Sequence, residues 1–234
     1  MLLDNMNWMD VEEYLEDEDR LVLVTGSTEE HGYYSVATDT STTWEIAKAA
    51  CEEAGVALAP ALPYGPSPGL MGYPGTVSIG NCTYLNFVRD ILESFIRHGF
   101  KRIFILNGHG GNKVAQRILC QVREDHPDVM VKFKSWYNLP SAKEMQEELG
   151  GKESHHGAWI EGFSWINKVG PIPVEEKEEV DWSDFRSLTG AEVRERLGDG
   201  SGGGVYYVDE ETERKYFQVA VNDVVDVLNG DWTP

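Results

Sequence analysis

Short apolar runs alternate with helix-like segments along the chain, and this alternation constrains the fold more than any other feature. The strand-like runs lie at 21–27, 56–65, 101–112 and 129–138. The segments with helical spacing or helix-forming composition lie at 42–55, 81–99 and 113–125, with a closing helix through 216–228. Such a β-α-β-α order predicts an α/β fold in which helices cover both faces of a parallel or mixed sheet. Because no clear linker or internal repeat interrupts the pattern, we expect one domain over residues 1–234.

The composition predicts a folded, acidic protein and disfavours two classes of partner. Of the 234 residues, 41% are hydrophobic, which is enough to bury a core. Acidic residues number 40 against 20 basic ones, so the formal net charge is -20. Since this charge repels phosphate groups, we expect neither nucleic acid nor an anionic membrane surface as a partner.

Targeting and redox signals favour the cytoplasm. The beginning of the sequence is acidic and lacks the basic and apolar regions of a signal peptide. No apolar run approaches about 18 residues, so the sequence predicts no membrane-spanning helix. The three cysteines, Cys51, Cys82 and Cys120, are far apart and form no CxxC pair, as expected in a reducing compartment. We therefore expect a cytoplasmic protein.

Four of the six histidines fall in three polar clusters. His31 lies in TEEHG and His109 in NGHGG, and each cluster follows a strand-like run. His155 and His156 lie together in ESHHGAWIEG. Because α/β sheets bind ligands at the carboxyl ends of their strands, the first two clusters are candidates for one site.

The segment TGSTEEHGYYSVATDT is either an acidic solvated turn or part of a metal site. Glu29 and His31 are two residues apart, so on an extended segment their side chains point the same way. Asp39 can return to them if the intervening residues form a loop, and the glycines around His109 let its backbone approach closely. Metals of the Zn and Mn type accept imidazole and carboxylate ligands. A fifth ligand has to come from elsewhere in the chain.

No competing site stands out in the rest of the sequence. No HExxH helix, CxxC pair or GxSxG nucleophile elbow offers an alternative site. The acidic stretch 174–181 and the segment GDGSGGG at 198–204 are interpreted as loops. GDGSGGG lacks the preceding strand and the following GK[ST] of a phosphate-binding loop.

An ordered set of motifs resembles the creatininase (creatinine amidohydrolase) family. The motifs are GSTEEHG…TD, PYG, YPGT, NGHGGN and an H-x4-E segment, and they span roughly residues 20–165. The resemblance implies a three-layer α/β/α domain with a mostly parallel mixed sheet and a pair of Zn, Mn or Fe ions. It also implies hydrolysis of a non-peptide C–N bond in a small amide, and a homo-oligomer that is commonly a hexamer.

The resemblance also implies roles for individual residues. Carried over by position, the metal ligands are Glu29, His31, Asp39, His109 and Glu161, with Asp39 bridging the two ions. The late motif of the family has a histidine followed five residues later by a glutamate. His156 and Glu161 have that spacing, so His156 corresponds to the acid/base histidine. A shift of one residue would give this role to His155, and both remain candidates for catalysis.

This chain departs from the family pattern at three places, one of which is the late motif, where the usual HAGExETS is reduced to HHGAWIEGF. Between His31 and Asp39 the family usually has one more residue, in a run like HGPHLPLGTD, where this chain reads HGYYSVATD. Tyr33 and Tyr34 are therefore expected to change the shape of the pocket. Creatinine-cleaving members carry a glutamate where this chain has Gly111, which favours Glu161 as the replacement ligand and disfavours creatinine as substrate.

Aromatic residues near the motifs are candidates for the substrate pocket. Trp136, Tyr137 and Trp159 flank the expected site and either stack on a flat substrate or pack in the core. Glu30, between two expected ligands, is a second candidate for protonating the leaving nitrogen, although its side chain is expected to point into solvent.

Three functions agree with these observations. The first is a metal-dependent amidohydrolase of a small polar amide or lactam. The second is a formamide deformylase in flavin or deazaflavin precursor synthesis, which the lack of Lys and Arg in 25–40 and 107–112 disfavours. The third is a catalytically silent metal-binding assembly subunit.

Overall fold

Four parallel strands form the centre of the protein. The structure is a computed structural model and describes residues 1–149 and 156–233. The strands are β1 Arg20–Thr25, β2 Ala57–Leu62, β3 Arg102–Asn107 and β4 Met130–Ser135. They pair in the order β2-β1-β3-β4, and every pairing is parallel. This arrangement confirms the predicted α/β class, and all four strands therefore end at the same edge of the sheet.

Seven α-helices connect or flank the strands in the described residues. They are α1 Trp8–Asp17, α2 Thr38–Ala54, α3 Asn81–His98, α4 Gln116–Asp125, α5 Pro140–Glu148, α6 Gly190–Leu197 and α7 Glu210–Asn229. Helices α2 and α3 each end at a glycine, Gly55 with φ 67° and Gly99 with φ 109°. Glycine adopts this left-handed conformation without the steric cost that a side chain would add. No described helix has the length and apolarity needed to cross a membrane.

Helices cover the two faces of the sheet and bury two separate cores. Along β1, Val22 and Val24 face the first core, whereas Leu21 and Leu23 face the second. This alternation follows from the two-residue period of a strand. The first core includes residues of α2, α5 and α7, and the second includes residues of α1, α3 and α4. The result is a three-layer α/β/α architecture, as the sequence motifs implied.

Polar side chains link the strands at their carboxyl ends. In the sheet register Thr25 of β1 lies beside Asn107 of β3, and Asn107 lies beside Ser135 of β4. Thr25 Oγ1 donates a hydrogen bond to Asn107 Oδ1 at 3.0 Å, and Asn107 Nδ2 donates to Ser135 Oγ at 2.9 Å. These buried hydrogen bonds fix the points from which the TEEHG and NGHGG segments leave the sheet.

The starts of three helices differ from the sequence prediction. Helix α7 begins at Glu210 rather than near residue 216, and the difference at α2 concerns a candidate ligand. Helix α2 begins at Thr38 rather than at residue 42, so Asp39 lies in its first turn and not in a loop. A carboxylate in the first turn is favoured by the partial positive charge of the helix N-terminus. The last two residues of NGHGG begin a 3-10 turn over Gly110–Ala115, which precedes α4.

Candidate metal centre

Three residues from different elements form a first group of metal-ligating atoms. Glu29 follows β1, Asp39 lies in the first turn of α2, and His109 follows β3. His109 Nδ1 lies 3.1 Å from Glu29 Oε1 and 3.0 Å from Asp39 Oδ2. All three side chains are buried, and their ligand atoms lie within 4.8 Å of one another.

A second group shares Asp39 with the first. His31 Nε2 lies 2.9 Å from Asp39 Oδ1 and 3.7 Å from Glu161 Oε2. The two oxygens of Asp39 therefore face different histidines, and Ser27 Oγ donates a hydrogen bond to Oδ2 at 2.8 Å. Glu161 Oε2 also accepts a hydrogen bond from the Gly157 backbone at 2.8 Å. Asp39 is thus positioned to contribute to two ion sites at once.

Backbone carbonyls fix which nitrogen of each histidine faces the carboxylates. His31 Nδ1 lies 3.2 Å from the Glu29 carbonyl, and His109 Nε2 lies 2.8 Å from the Pro66 carbonyl. A carbonyl can only accept, so each of these nitrogens carries a proton. When a metal ion is bound and the ring is neutral, the other nitrogen, His31 Nε2 or His109 Nδ1, would direct its lone pair at that ion. Such hydrogen bonds to the far ring nitrogen are typical of metal-binding histidines.

The electrostatics of the two groups show that they attract positive charge. Burial by itself would lower the pKa of His31 and of His109, but the facing carboxylates raise both values well above normal. Burial opposes ionisation of Asp39 and Glu29, yet the two histidines hold the pKa of each carboxyl below its usual value. Burial raises the pKa of Glu161. These residues are ligand types in an environment that favours a cation.

Two buried ligand atoms without a hydrogen-bond partner also indicate that these residues suit divalent ions. Glu29 Oε2 and His31 Nε2 are buried and make no hydrogen bond in the structure. Buried polar atoms without partners cost free energy unless an ion or a water molecule compensates them. Three ionised carboxylates and two neutral imidazoles carry three negative charges, which two divalent ions would offset. The residues present therefore fit a metal pair of the Zn, Mn or Fe type.

The two groups lie at the wall of a cavity of about 1120 Å³. Its lining includes Glu29, Asp39, His109, Glu161, His156, Tyr137, Ile160, Leu70, Val180, Trp182, Lys143 and Glu147. Pockets of this kind combine apolar walls with a few placed polar groups, and that combination suits an organic ligand. A small molecule in the cavity can therefore reach both groups of ligand atoms.

His156 also lines this cavity, and it is paired with an unexpected partner. Its Nε2 lies 2.9 Å from Glu30 Oε1, and its ring centroid lies 4.5 Å from that of His31. A ring nitrogen of His156 further falls within 4.8 Å of ligand atoms of Glu29 and His31. The expectation that Glu30 points into solvent is wrong, because only 6% of this residue is exposed. His155, the alternative catalytic candidate, lies outside the described residues.

The five predicted pocket aromatics occupy different positions. Tyr137 lines the main cavity. Tyr34 is buried and donates its hydroxyl hydrogen to the Tyr206 carbonyl, while Tyr33 packs edge-on against the Tyr206 ring at 5.4 Å. Trp136 and Trp159 are buried in the first core, where both rings contact Tyr216. Of these five residues, Tyr137 is the one that the structure brings to the wall of the main cavity.

Two residues at the cavity wall had no signal in the sequence. Trp182 follows the acidic stretch 174–181, and its ring lies 5.9 Å from that of His156. Lys143 comes from α5 and lies 3.8 Å from Glu147 on the same helix. Neither residue lies near a motif in the sequence, and only the packing of their segments brings them to the cavity.

The glycine at position 111 is required by close packing. A side chain there would overlap the carbonyl oxygen of Pro66, because the two backbones pass closely. The chain therefore has no room at Gly111 for the glutamate that creatinine-cleaving family members carry. The carboxylate of Glu161 lies beside His31 and Asp39.

The fold and this cluster define an α/β protein with a carboxylate–histidine centre at the carboxyl ends of its strands. The sequence model described as creatininase, creatinine amidohydrolase, matches residues 4–228. The chain belongs to the creatininase family. This match covers nearly the whole chain and extends beyond the motifs at both ends.

Two curated relatives match parts of this chain. Creatinine amidohydrolase of Pseudomonas putida is 32% identical over 100 residues, which cover 40% of this chain and 38% of the relative. 3-Dehydro-scyllo-inosose hydrolase of Thermotoga maritima is 26% identical over 150 residues, covering 62% of this chain and 48% of the relative. The chain thus matches less than half the length of each.

Solved creatininase structures share the fold over the full chain. A mutant creatininase described as the Zn-Zn type has a TM-score of 0.77 at 19% identity. The match covers 100% of this chain and 98% of the creatininase chain. A structure described as creatininase Mn has a TM-score of 0.76 at 19% identity, with coverages of 100% and 99%. At this identity the likeness concerns the fold.

Proposed function

We propose that this protein is a metal-dependent hydrolase of a non-peptide C–N bond in a small polar amide, lactam or formamide. The two groups of ligand atoms that share Asp39 at the wall of an open cavity carry this proposal. Family membership supports it, because the matching sequence model is described as a creatinine amidohydrolase. The Zn-Zn and Mn creatininase structures support a pair of such ions as the cofactor.

The proposed roles follow from the positions of the side chains. Glu29, Asp39 and His109 would hold one ion, and His31, Asp39 and Glu161 the other. A bound metal pair supplies Lewis acidity toward a carbonyl oxygen and makes water a nucleophile near neutral pH.

His156 would donate a proton to the leaving nitrogen as the C–N bond breaks, a task suited to imidazole. Tyr137 and Trp182 line the cavity, and they would limit the access of bulk water to a substrate bound there.

The first test is metal loading followed by a substrate screen. The protein, reconstituted with Zn or Mn, is analysed for metal content and assayed on hydantoin, 2-pyrrolidinone and N-methylformamide as a cyclic urea, a lactam and a formamide. We expect about two ions per chain and hydrolysis of at least one class. A protein that binds two ions and hydrolyses none of these classes would instead agree with a silent metal-binding subunit.

Replacing His156 separates chemistry from metal binding. We expect His156→Ala to retain the metal and to lower kcat by about 10²–10⁴-fold, the usual contribution of a general acid. His126→Ala is the matched control, since His126 pairs with Glu93 at 2.8 Å on the surface, away from the cavity. Normal turnover of His156→Ala would transfer the proposed role to His155.

One observation favours the formamide deformylase as a second candidate. Lys143 lines the cavity, where its ammonium lies 3.8 Å from Glu147, whereas the motif segments 25–40 and 107–112 contain no Lys or Arg. A phosphorylated precursor would need such a cation near the metal centre. Comparison of neutral and phosphorylated formamides in the same screen decides between these substrates.

We further propose a cytoplasmic homo-oligomer with a single domain over residues 1–234. The family resemblance supports the oligomer, commonly a hexamer. Cys51, Cys82 and Cys120 are free thiols, as expected in a reducing compartment. Sedimentation of the purified protein measures the oligomer directly.

A further inference from the structure

Glu30 lies between two proposed ligands in the sequence, but its carboxylate is directed at His156. Oε1 lies 2.9 Å from His156 Nε2, and Oε2 accepts a hydrogen bond from the Gly32 backbone at 3.1 Å. The Glu30 backbone donates to Thr76 Oγ1 at 3.1 Å. Each carboxylate oxygen therefore has its own partner, and the carboxylate is fixed from both sides.

The glycine-rich segment 198–204 holds this pair in place from the opposite side. A side chain at Gly200, which has φ 95°, would overlap Glu30 Oε2. The Gly202 backbone donates a hydrogen bond to the His156 carbonyl at 2.8 Å. The same segment thus contacts both Glu30 and His156. Its glycines allow the backbone to approach the carboxylate closely, which a larger residue would prevent.

This geometry determines which nitrogen of His156 is available to a substrate. A carboxylate only accepts hydrogen bonds, so Nε2 carries a proton and is occupied by Glu30. In the part of the chain that the structure describes, Nδ1 has no hydrogen-bond partner. Rotation of the ring would break the contact with Glu30 and place Nε2 elsewhere. Nδ1 is then the nitrogen that a molecule in the cavity can reach.

We propose that Glu30 is a positioning residue that fixes the ring of His156, with Gly200 providing the space for its carboxylate. The inference deepens the proposed function, on which it rests for the role of His156. Glu30 contacts neither substrate nor metal and acts through the imidazole. Its effect on hydrolysis therefore exists only while His156 is present.

The first experiment observes the His156 ring without any substrate. The zinc-loaded protein, labelled with ¹⁵N-histidine, is examined by NMR for a slowly exchanging Nε2–H signal, which is assigned by its absence in His156→Ala. We expect this signal in the wild type and its loss in Glu30→Ala, because the hydrogen bond protects the proton from exchange. Absence of the signal in the wild type, or its persistence in Glu30→Ala, overturns the proposal.

Two glycine variants provide a second, matched test in case Glu30→Ala folds poorly. Gly200 and Gly198 both have positive φ, but only Gly200 would direct a side chain at Glu30. We expect Gly200→Ala to shift or remove the Nε2–H signal, whereas Gly198→Ala retains it. Equal spectra for the two variants contradict the proposed contact.

A double-mutant cycle on hydrolysis tests whether Glu30 acts through His156. With the amide that the wild type hydrolyses, we expect Glu30→Ala to lower kcat about 10- to 100-fold, as losses of supporting hydrogen bonds do, with KM nearly unchanged. On the His156→Ala background the same change is expected to alter kcat less than about twofold. An equal loss on both backgrounds overturns the positioning role. If the wild type hydrolyses nothing, the proposed function fails, and the NMR experiment still decides the role of Glu30.

Discussion

Asp39→Asn is expected to prevent the protein from binding two metal ions at the same time. Asp39 is the residue whose two oxygens face both histidines, with Oδ1 2.9 Å from His31 Nε2 and Oδ2 3.0 Å from His109 Nδ1. Asparagine has nearly the same volume but only one oxygen, so one group loses its shared ligand. We expect the metal content to fall from about two ions per chain to one or fewer. The rate of hydrolysis should fall more than about 100-fold. A loss of about 100-fold is the upper range for removing a residue that only hydrogen-bonds to a metal ligand.

Two variants serve as controls for this experiment. Glu161→Gln changes only the group that Glu161 forms with His31 and Asp39. This variant should therefore retain the ion held by Glu29, Asp39 and His109. Asp223→Asn changes an equally buried carboxylate that caps α5 through the Ala142 backbone, and it should keep the full metal content. Elemental analysis of the three purified variants makes the comparison. Two retained ions in Asp39→Asn would contradict the shared-ligand assignment.

Gly108→Ala is expected to cost both stability and metal binding. A Cβ at this position would overlap Thr43 Oγ1 and the carbonyl oxygen of Asp39, both on α2. The methyl group would push the first turns of α2 away from the end of β3. We expect a loss of about 3 kcal/mol in the free energy of unfolding, as overpacking typically causes. This loss corresponds to a decrease in Tm of roughly 6–12 °C for a chain of this size.

Gly110→Ala is the matched control, because the same loop has open space at that position. No atom lies within 4 Å of a Cβ built on Gly110. We expect its free energy of unfolding to remain within about 0.5 kcal/mol of the wild type, with unchanged metal content. Thermal unfolding and zinc titration of both variants provide the measurements. An equal decrease in Tm for the two glycines would show that close packing on α2 is not the cause.

Local sequence patterns were sufficient to predict much of the fold and part of the site. The pattern of apolar residues identified β1 and β3. In an α/β sheet, ligands bind at the carboxyl ends of the strands, and the polar residues that bind them follow these ends. Glu29 and His31 are two residues apart after β1, and His109 follows β3, so their proximity follows from adjacent parallel strands. The start of α2 was predicted four residues too late, since Thr38 and Asp39 lack apolar character.

The prediction for Glu30 failed for a reason that lies outside its own segment. On an extended segment the neighbour of Glu29 points to the opposite side, and solvent was expected there. In the structure that side is covered by His156 and the glycine-rich segment 198–204. These elements are more than 100 residues away in the sequence, and no local pattern in TEEHG indicates their presence.

The sequence by itself determined the α/β class, the family, and a set of carboxylates and histidines suited to a metal pair. These properties depend on the order of short motifs and on periods of two and 3.6 residues, which are visible without long-range contacts. The tertiary structure alone decided that Asp39 directs one oxygen at each histidine, that Glu30 pairs with His156, and that Trp182 and Lys143 line the cavity. Each of these contacts joins distant segments, so it exists only after the helices and loops have packed around the ends of the strands.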